Sequence, residues 1–356
     1  MTETLGFLGA FAGTVLAIPA LTRFAPGLGL VDVAAGRKVH DGEIPLIGGI
    51  AMGIVFLGVY LAVALAAAQA VRFGLGLAIA IVLIGGILDD LHELRSLAKF
   101  GFQIAAAAAL VFVDGTVLVQ LGQLLAQRTF TLGEWSVPLT IFAVVGVMNA
   151  VNMADGIDGL AGTLTLLAFI AFGLLAMLVG ESAVFVVCCL GAGVTAGFLC
   201  FNMRTPTRPS AVVFMGDTGS HFLGLLLAWC AITLHNAEPP ALNAVTAGWM
   251  LGVILGDTLC VMIRRALRGK SPFSGDREHL HHLLLAAGLT ISQTVGVIAV
   301  LSVGAGAIAF AAERNGVPAY LMFYAYLALL GAYCVVTEMI FRRQGLREPS
   351  GAGVQR

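Results

Sequence analysis

The sequence carries little charge. Only 11% of its 356 residues are Asp, Glu, Lys or Arg, less than half of the roughly 25% that is typical of a soluble domain. Such a chain cannot expose most of its surface to water, which excludes the ordinary soluble classes. The formal net charge of -1 does not indicate binding to nucleic acid, and we expect no nucleic-acid partner.

Two common sequence signals are missing as well. The six cysteines fall in apolar stretches without C-x-x-C spacing, so they predict small buried side chains and neither a disulfide framework nor a metal site. The first apolar run follows Glu3 with no Lys or Arg before it. A secretory signal peptide begins with a basic region, so we expect this run to be retained as the first membrane span.

The sequence instead contains many long apolar runs. A membrane-spanning helix needs about 20 mostly apolar residues, and that length divides the chain into about eleven segments. They are 4-23, 46-67, 72-89, 100-118, 137-153, 160-180, 182-202, 211-234, 242-263, 292-312 and 317-340. Asp114 interrupts the fourth segment and the fifth is short. The sequence therefore predicts an all-α polytopic membrane protein with about eleven transmembrane helices.

The basic residues predict the orientation. If the amino terminus lies outside, 16 of the 19 Lys and Arg residues fall on inner loops or the tail. Only Arg72, Arg128 and Arg314 then remain outside. Cytoplasmic loops carry an excess of Lys and Arg, so we expect the amino terminus outside and the carboxyl terminus in the cytoplasm. Residues 1-341 are expected to form a single transmembrane domain, followed by a disordered cytoplasmic tail over 342-356.

With this topology, five clusters of polar residues lie on inner loops. They are Arg37-Lys38-Val39-His40-Asp41; Asp89-Asp90 with Lys99; Asn149, Asn152, Asp155 and Asp158; Phe214 to Ser220 around Asp217; and the basic loop that ends in His279, His281 and His282. Each has an ordinary interpretation, because acids often end a solvated helix and basic residues fix topology. Their concentration on one side of the membrane favours a functional site.

The acidic residues predict a cation. Asp89 and Asp90 follow an apolar run at a helix end, where acids oppose the helix dipole and need a compensating positive charge. Asp217 lies at the membrane boundary, where an ionisable group is costly and usually functional. The run Asp155 to Gly159 places glycines between oxygen ligands, which suits magnesium and phosphate. It lacks the spacing of a twelve-residue calcium loop.

The histidines and the basic residues before them indicate an anionic ligand. A zinc site is disfavoured, because on a helix His279 and His282 would share a face while His281 points elsewhere. Arg, Lys and His beside acids that hold magnesium can orient a diphosphate and stabilise its developing charge. An ordinary loop-helix junction is the alternative for the histidines.

These motifs resemble the polyprenyl-phosphate N-acetylhexosamine-1-phosphate transferase family. The resemblance covers nearly the whole chain, in order, through RKVHDGEIPLIGG, LDDLHELRSLAKF, NAVNMADGIDGLAG, FMGDTGS and SPFSGDREHLHHL. The last motif is similar to that of the bacterial members that use UDP-GlcNAc. It lacks the Pro-Ile-His-His-His pattern of the peptidoglycan branch.

The resemblance implies a reaction and its participants. Undecaprenyl phosphate attacks the β-phosphorus of UDP-GlcNAc, UMP leaves, and a lipid-linked sugar diphosphate stays in the bacterial inner membrane. The implied cofactor is Mg²⁺, with Mn²⁺ as an alternative. The active site is expected on the cytoplasmic loops, and a homodimer packed through membrane helices is common in the family.

The resemblance also assigns roles to residues of this chain. It implies that Asp89 and Asp90 are the family's acid pair, with Asp89 deprotonating or orienting the lipid phosphate, and that Lys99 lies near the phosphates. It also implies that Asp217 holds magnesium with the help of Asn152, and that Asp158 and Phe214 hold the uracil. The catalytic set implied is Asp89, Asp90, Lys99, Asp155 and Asp158, and the set for the nucleotide sugar is Asn149, Asp158, Phe214, Arg277, His279, His281 and His282.

Several points stay open. The peptidoglycan branch has a lysine where this chain has Glu93, so that lysine's role does not transfer. UDP-GalNAc and UDP-MurNAc-pentapeptide are alternative donors, and direct attack by the lipid is not distinguished from a covalent intermediate. A secondary transporter is the other class of function, although its charges would be expected at mid-span, where only Asp257 and Glu338 come near.

Overall fold

The computed structural model describes residues 2-33, 42-66, 72-124, 128-238, 240-271 and 278-344, which form helices joined by short loops. In chain order the helices are α1 Thr2–Thr22, α2 Ala25–Leu28, α3 Gly48–Ala66, α4 Phe73–His92, α5 Ser96–Phe112, α6 Ser136–Ala154, α7 Leu160–Val179, α8 Ser182–Asn202, α9 Gly216–Asn236, α10 Ala244–Met250, α11 Gly252–Leu267, α12 Leu280–Ala286, α13 Ile291–Arg314 and α14 Ala319–Gln344. Two strands, β1 Val31–Val33 and β2 Glu43–Pro45, pair antiparallel.

The all-α polytopic prediction is confirmed. Nine helices of the described segments are long and apolar enough to cross a membrane, and the pair α10 and α11 makes ten if it is one broken span. α5 is also apolar but has only 17 residues, about 25 Å of helix at 1.5 Å per residue. Each of the predicted segments thus overlaps a helix, and α5 is the one that falls short of a full span. Most of the predicted tail, 345-356, lies outside the described residues.

One predicted span is broken in the middle. α10 and α11 meet at Leu251 and are bent by 83°. Non-helical backbone at membrane depth is tolerated where protein buries it, and Leu251 is buried here. The bend turns α11 toward the segment that carries the histidines.

α9 is the central helix. Nearly all of its residues are buried, and it packs against α3, α4, α6, α7 and α8. Two contacts depend on glycine: a Cβ on Gly49 would lie 2.2 Å from the backbone nitrogen of Gly219, and one on Gly86 would lie 2.4 Å from the Cα of Thr218. Small residues let helix backbones approach closely in membranes. Here they bring α3 and α4 against the first turn of α9, which carries Asp217.

The two strands lie beside this turn. Val31 pairs with Pro45, the Phe214 N–H donates to the carbonyl of Pro45, and the Gly48 N–H donates to the carbonyl of Phe214. The segment before α9 is therefore tied to the start of α3. The predicted cluster Arg37 to Asp41 connects the two strands and lies outside the described residues.

The opposite ends of α4, α5 and α9 meet at Asp114, which directly follows α5 as a buried carboxylate. Its Oδ2 accepts hydrogen bonds from Trp229 Nε1 at 2.9 Å and Thr116 Oγ1 at 2.6 Å. Arg72 Nη1 lies 3.2 Å from the same oxygen, and its guanidinium stacks over the Trp229 ring at 5.4 Å. Asp114 therefore closes a helix end and does not interrupt a span.

This arrangement predicts a purely structural role for Asp114. We expect Asp114→Asn to lower the free energy of unfolding by about 2 kcal/mol, because a buried charge-assisted contact with Arg72 is lost. Thermal unfolding of the purified protein in detergent measures this. Enzyme turnover below the unfolding temperature should not change, and a large loss of turnover would contradict the structural role.

Candidate active site

Four helix ends meet at one end of the bundle and bring together three of the predicted clusters. Asp89 and Asp90 lie in the last turn of α4, and Lys99 in the first turn of α5. Asn152 lies in the last turn of α6 and Asp217 in the first turn of α9. Residues that are up to 128 positions apart in sequence are hydrogen-bonded here. The predicted gathering of these side chains is therefore seen in the structure.

Lys99 links two of the acids. Its Nζ lies 2.6 Å from Asp89 Oδ2 and 3.0 Å from Asp217 Oδ2. Asp89 is buried, and its other oxygen accepts the Leu94 N–H at 2.8 Å. Two close carboxylates repel each other unless a cation lies between them. The Lys99 ammonium is that cation here.

Asp90 has a different environment. Its Oδ1 accepts the backbone N–H of Asp217 at 2.9 Å, and its Oδ2 accepts the Thr218 hydroxyl at 2.6 Å and the Thr218 N–H at 3.3 Å. These are the free N–H groups of the first turn of α9, where a negative charge is stabilised by the helix dipole. Asp90 thus holds the turn that presents Asp217, and the catalytic role predicted for it stays a prediction.

Asp217 and Asn152 form the predicted metal pair. Asn152 Nδ2 donates to Asp217 Oδ1 at 2.8 Å and to Ser220 Oγ at 2.9 Å. No group of three or more His, Cys, Asp or Glu in the described ranges is arranged to hold a metal by itself. Magnesium, however, is commonly held by one or two carboxylates with phosphate oxygens and water completing its shell. Asp217, the amide oxygen of Asn152 and the adjacent Asp89 are all hard oxygen donors, so they fit magnesium with a phosphate-bearing substrate.

Asp155 lies in the loop after α6, close to this group. Burial, and after it the negative charges of Asp217, Asp158 and Asp90, raise the pKa of Asp155 to about 7. The loop therefore adds a carboxyl whose proton is exchangeable near neutral pH. The catalytic role predicted for Asp155 stays a prediction.

Asp158, near the other end of this loop, is fixed by an ion pair and a backbone hydrogen bond. Its Oδ2 accepts Arg204 Nε at 2.7 Å and the Ala211 N–H at 3.1 Å. Asn202 joins the same two segments, because its Oδ1 accepts the Gly159 N–H at 2.8 Å and its Nδ2 donates to the Val213 carbonyl at 2.9 Å. The loop 155-159 is thereby fixed to the segment that leads through Phe214 to Asp217.

The prediction for the histidine faces was wrong. His279 is the residue before α12 and has extended backbone (φ -79°, ψ 160°), so the helix begins only at Leu280. The three rings therefore cluster: His281 and His282 are 4.1 Å apart between centroids, and His279 and His281 stack at 5.5 Å with an interplanar angle of 8°. The helical projection failed because one of the three residues is not helical.

His281 joins the histidine segment to the acidic loop. A Cβ on Gly156 would lie 2.4 Å from His281 Nε2, so that nitrogen lies directly against the Gly156 backbone. Nε2 is buried and has no hydrogen-bond partner among the described residues. Burial, and after it repulsion from the neighbouring His282 and His279, lowers the pKa of His281 to about 3. His281 is therefore neutral at physiological pH, with a polar atom directed at the loop 155-159.

A polar chain one helical turn deeper joins the predicted Asn149 to two residues that were not predicted, Gln103 and His221. Asn149 Nδ2 donates to Gln103 Oε1 at 2.6 Å, and Gln103 Nε2 lies 3.0 Å from His221 Nε2. Gln103 follows Lys99 by four residues and His221 follows Asp217 by four, so helical spacing was a signal that could have found both. Gln103 and His221, with Gly85, Gly86 and Phe102, line a small cleft that Asp89 and Lys99 also line.

Two predicted binding residues remain. Phe214 lies half-buried three residues before Asp217, in the segment tied to Pro45 and Gly48. Arg277 lies outside the described residues. Of the predicted site residues, only Arg277 thus lies outside the described residues, and Asn149 is linked through Gln103 to His221.

Comparison with known proteins supports the motif-based resemblance. Residues 72–235 match Glycosyl transferase family 4. The chain is 34% identical over 335 residues to the undecaprenyl-phosphate alpha-N-acetylglucosaminyl 1-phosphate transferase of Haemophilus influenzae, covering 92% of this chain and 90% of that protein. Proteins of the same name from Yersinia pestis and Escherichia coli O157:H7 are 36% and 32% identical, over 86% and 94% of this chain and 84% and 91% of theirs. The chain therefore belongs to the family of these 1-phosphate transferases, within glycosyl transferase family 4.

Proposed function

We propose that this protein transfers N-acetylglucosamine 1-phosphate from UDP-GlcNAc to undecaprenyl phosphate. The observation that carries the proposal is the meeting of Asp89, Lys99, Asn152 and Asp217 at one end of a membrane-spanning bundle. This chain covers nine-tenths of the length of the Haemophilus influenzae relative, whose name states that activity. A site at helix ends is reachable both by a soluble nucleotide sugar and by a lipid phosphate in the headgroup layer.

The reaction breaks one phosphorus–oxygen bond and forms another. An oxygen of the polyprenyl phosphate attacks the β-phosphorus of UDP-GlcNAc, and the bond from that phosphorus to the oxygen of the α-phosphate breaks. The products are undecaprenyl-diphosphate-GlcNAc and UMP. Both reactants are anionic, so the protein must supply positive charge and position.

Asp89 and Lys99 are the groups that we assign to the acceptor. Lys99 can attract the lipid phosphate, and its ion pair with Asp89 holds its ammonium at the end of α4. Asp89 can take a proton from the lipid phosphate or orient it. Asp90 positions Asp217 through the first turn of α9, which makes its contribution indirect.

Asp217 and Asn152 would hold magnesium. Bound there, the ion would neutralise phosphate oxygens and the developing charge on the leaving group. The protein's own share is to keep the two side chains together, through the Asn152 hydrogen bonds to Asp217 and Ser220. Mn²⁺, which shares the preference for oxygen ligands, is the expected substitute.

We assign binding of the nucleotide-sugar donor to the loop 155-159, the segment before α9 and the histidine segment. Asp158 and Phe214 flank the segment before α9 and are the proposed contacts of the uracil. His279, His281 and His282 approach the acidic loop from the other side and are the proposed contacts of the diphosphate or sugar, with Arg277. Asn149 is a further proposed contact of the nucleotide sugar, and Asp155 is a further proposed catalytic residue.

The membrane orientation is part of the proposal. We infer that the site faces the cytoplasm of a bacterial inner membrane, with the amino terminus outside, because that orientation places 16 of 19 Lys and Arg residues inside. The nucleotide sugar is a cytoplasmic metabolite, which agrees with this side. A homodimer is proposed from the family resemblance alone.

The test is UMP release by the purified protein with UDP-GlcNAc, undecaprenyl phosphate and Mg²⁺. We expect release only when all three are present. Competition with UDP-GalNAc and UDP-MurNAc-pentapeptide in the same assay identifies the donor. Transport of a labelled solute into proteoliposomes with no UMP release would instead support the transporter alternative.

A further inference from the structure

A partly buried carboxylate lies outside the acid cluster, on α11. Asp257 Oδ2 is 2.8 Å from His279 Nδ1. Its Oδ1 accepts the Leu280 N–H at 3.0 Å and the Tyr333 hydroxyl at 2.6 Å. The carboxylate thereby joins three elements: α11, the start of α12, and α14. Its contacts converge on the histidine segment of the site.

The chemistry of these contacts fixes the His279 ring. Three donors around one carboxylate stabilise its ionised form, which can only accept hydrogen bonds. The proton on the neutral His279 ring must then be on Nδ1, and Nε2 keeps its lone pair. A carboxylate bonded to one ring nitrogen sets the tautomer and the ring plane and makes the other nitrogen more basic.

The same contact also determines where α12 starts. Asp257 accepts the first N–H of α12, that of Leu280, while His279 stays extended. That geometry stacks His279 on His281, whose Nε2 lies against Gly156. A displacement of the Asp257 carboxylate would therefore pass through His279 to the loop 155-159.

We propose that Asp257 is a positioning residue for the nucleotide-sugar site, acting through Nδ1 of His279. This assignment rests on the proposed function, because it requires that the histidine segment contacts the donor. Tyr333 shares the carboxylate without touching His279, and so belongs to the support of Asp257. The competing explanation is that Asp257 only fastens α14 to α11.

The experiment compares Asp257→Asn with Tyr333→Phe in the UMP-release assay, with thermal unfolding measured in parallel. Asp257→Asn keeps the shape but replaces an acceptor oxygen by a donor group, so we expect kcat/KM for UDP-GlcNAc to fall about tenfold while KM for undecaprenyl phosphate stays unchanged. Tyr333→Phe should lower the unfolding temperature with much smaller kinetic effects. Asp257→Glu should restore part of the activity, because it restores a carboxylate.

A double variant separates positioning from fastening. If Asp257 acts through His279, then Asp257→Asn in a His279→Ala background should cause little further loss. Additive kinetic losses in the double variant would overturn the proposal. It would also be overturned if Asp257→Asn and Tyr333→Phe both lowered stability without changing the kinetics. Asp114→Asn is the matched control, a buried carboxylate at the opposite end that should change stability and leave donor kinetics unchanged.

The outcomes also separate this proposal from the function on which it rests. Wild-type protein that releases no UMP would overturn the function, and with it the role of Asp257. Active wild type with unchanged Asp257→Asn would overturn only the positioning role. If Asp257→Asn does not fold, His279→Asn is used for the test instead. The amide nitrogen of the new asparagine can replace Nδ1 of His279, but no atom replaces Nε2. We then expect wild-type stability with lost donor turnover, and retained kcat/KM would refute the proposal.

Discussion

Asp217→Asn is expected to lower magnesium-dependent UMP release by about a thousandfold. A metal ion on phosphate oxygens contributes several kcal/mol of transition-state stabilisation, and about 4 kcal/mol corresponds to a factor of 10³ in rate. The two carboxylate oxygens contact Asn152 and Lys99 and would also hold the metal, whereas the substitution leaves one oxygen for all three. The backbone N–H of residue 217 still donates to Asp90, so the first turn of α9 should remain in place.

Turnover is measured over a range of Mg²⁺ concentrations, and folding is checked by thermal unfolding. A raised Mg²⁺ requirement together with the lower kcat would assign the loss to metal binding. Asp114→Asn is again the control, since it neutralises a buried carboxylate far from the site. Near-normal turnover of Asp217→Asn would remove this residue from the metal site.

Gly156→Ala is expected to lower kcat/KM for UDP-GlcNAc by about a hundredfold. The new Cβ would lie 2.4 Å from His281 Nε2, far inside contact distance, so the buried His281 ring or the acidic loop must shift. Misplacement of substrate-binding groups by about 1 Å can cost a factor of about 10². Gly156 is exposed and does not have a positive φ, so the backbone itself should accept alanine.

Gly146→Ala is the matched control in α6, where an added Cβ meets nothing within 4 Å. It should leave the kinetics unchanged, and the helix should be slightly more stable because alanine favours helix over glycine. Both variants are compared by donor titration at saturating undecaprenyl phosphate. Wild-type kcat/KM in Gly156→Ala would show that contact between His281 and the loop is not needed for turnover.

Much of the architecture could be predicted because the bilayer imposes a length and a composition on each span. Apolar runs of about 20 residues gave every long helix. The break at Leu251 was not predicted, since neither proline nor a charged residue marks the run 244-256 in which it lies. The role of Asp114 was also missed, because a carboxylate in a span-like segment has the same pattern whether it interrupts the helix or closes it.

For the site, sequence motifs identified the side chains but not their partners. Asp89 and Asp90 are adjacent in sequence, yet one pairs with Lys99 and the other holds the first turn of α9. Helical spacing could have predicted that Gln103 and His221 lie near the site. The role of Asp257 could not be predicted, because it depends on contacts with His279 and Tyr333, which are 22 and 76 residues away in sequence.

The position of α14 has a consequence for assembly. Most of its apolar side chains face away from the rest of the protein, and lipid solvates such a face as well as protein does. Polar contacts help to attach it, among them Tyr333 to Asp257 and Thr337 to Arg264. Since α14 is synthesised after every other helix described here, the carboxylate that orients His279 receives its third donor only after α14 has entered the membrane. The histidine segment would then be the last part of the site to become ordered during biogenesis.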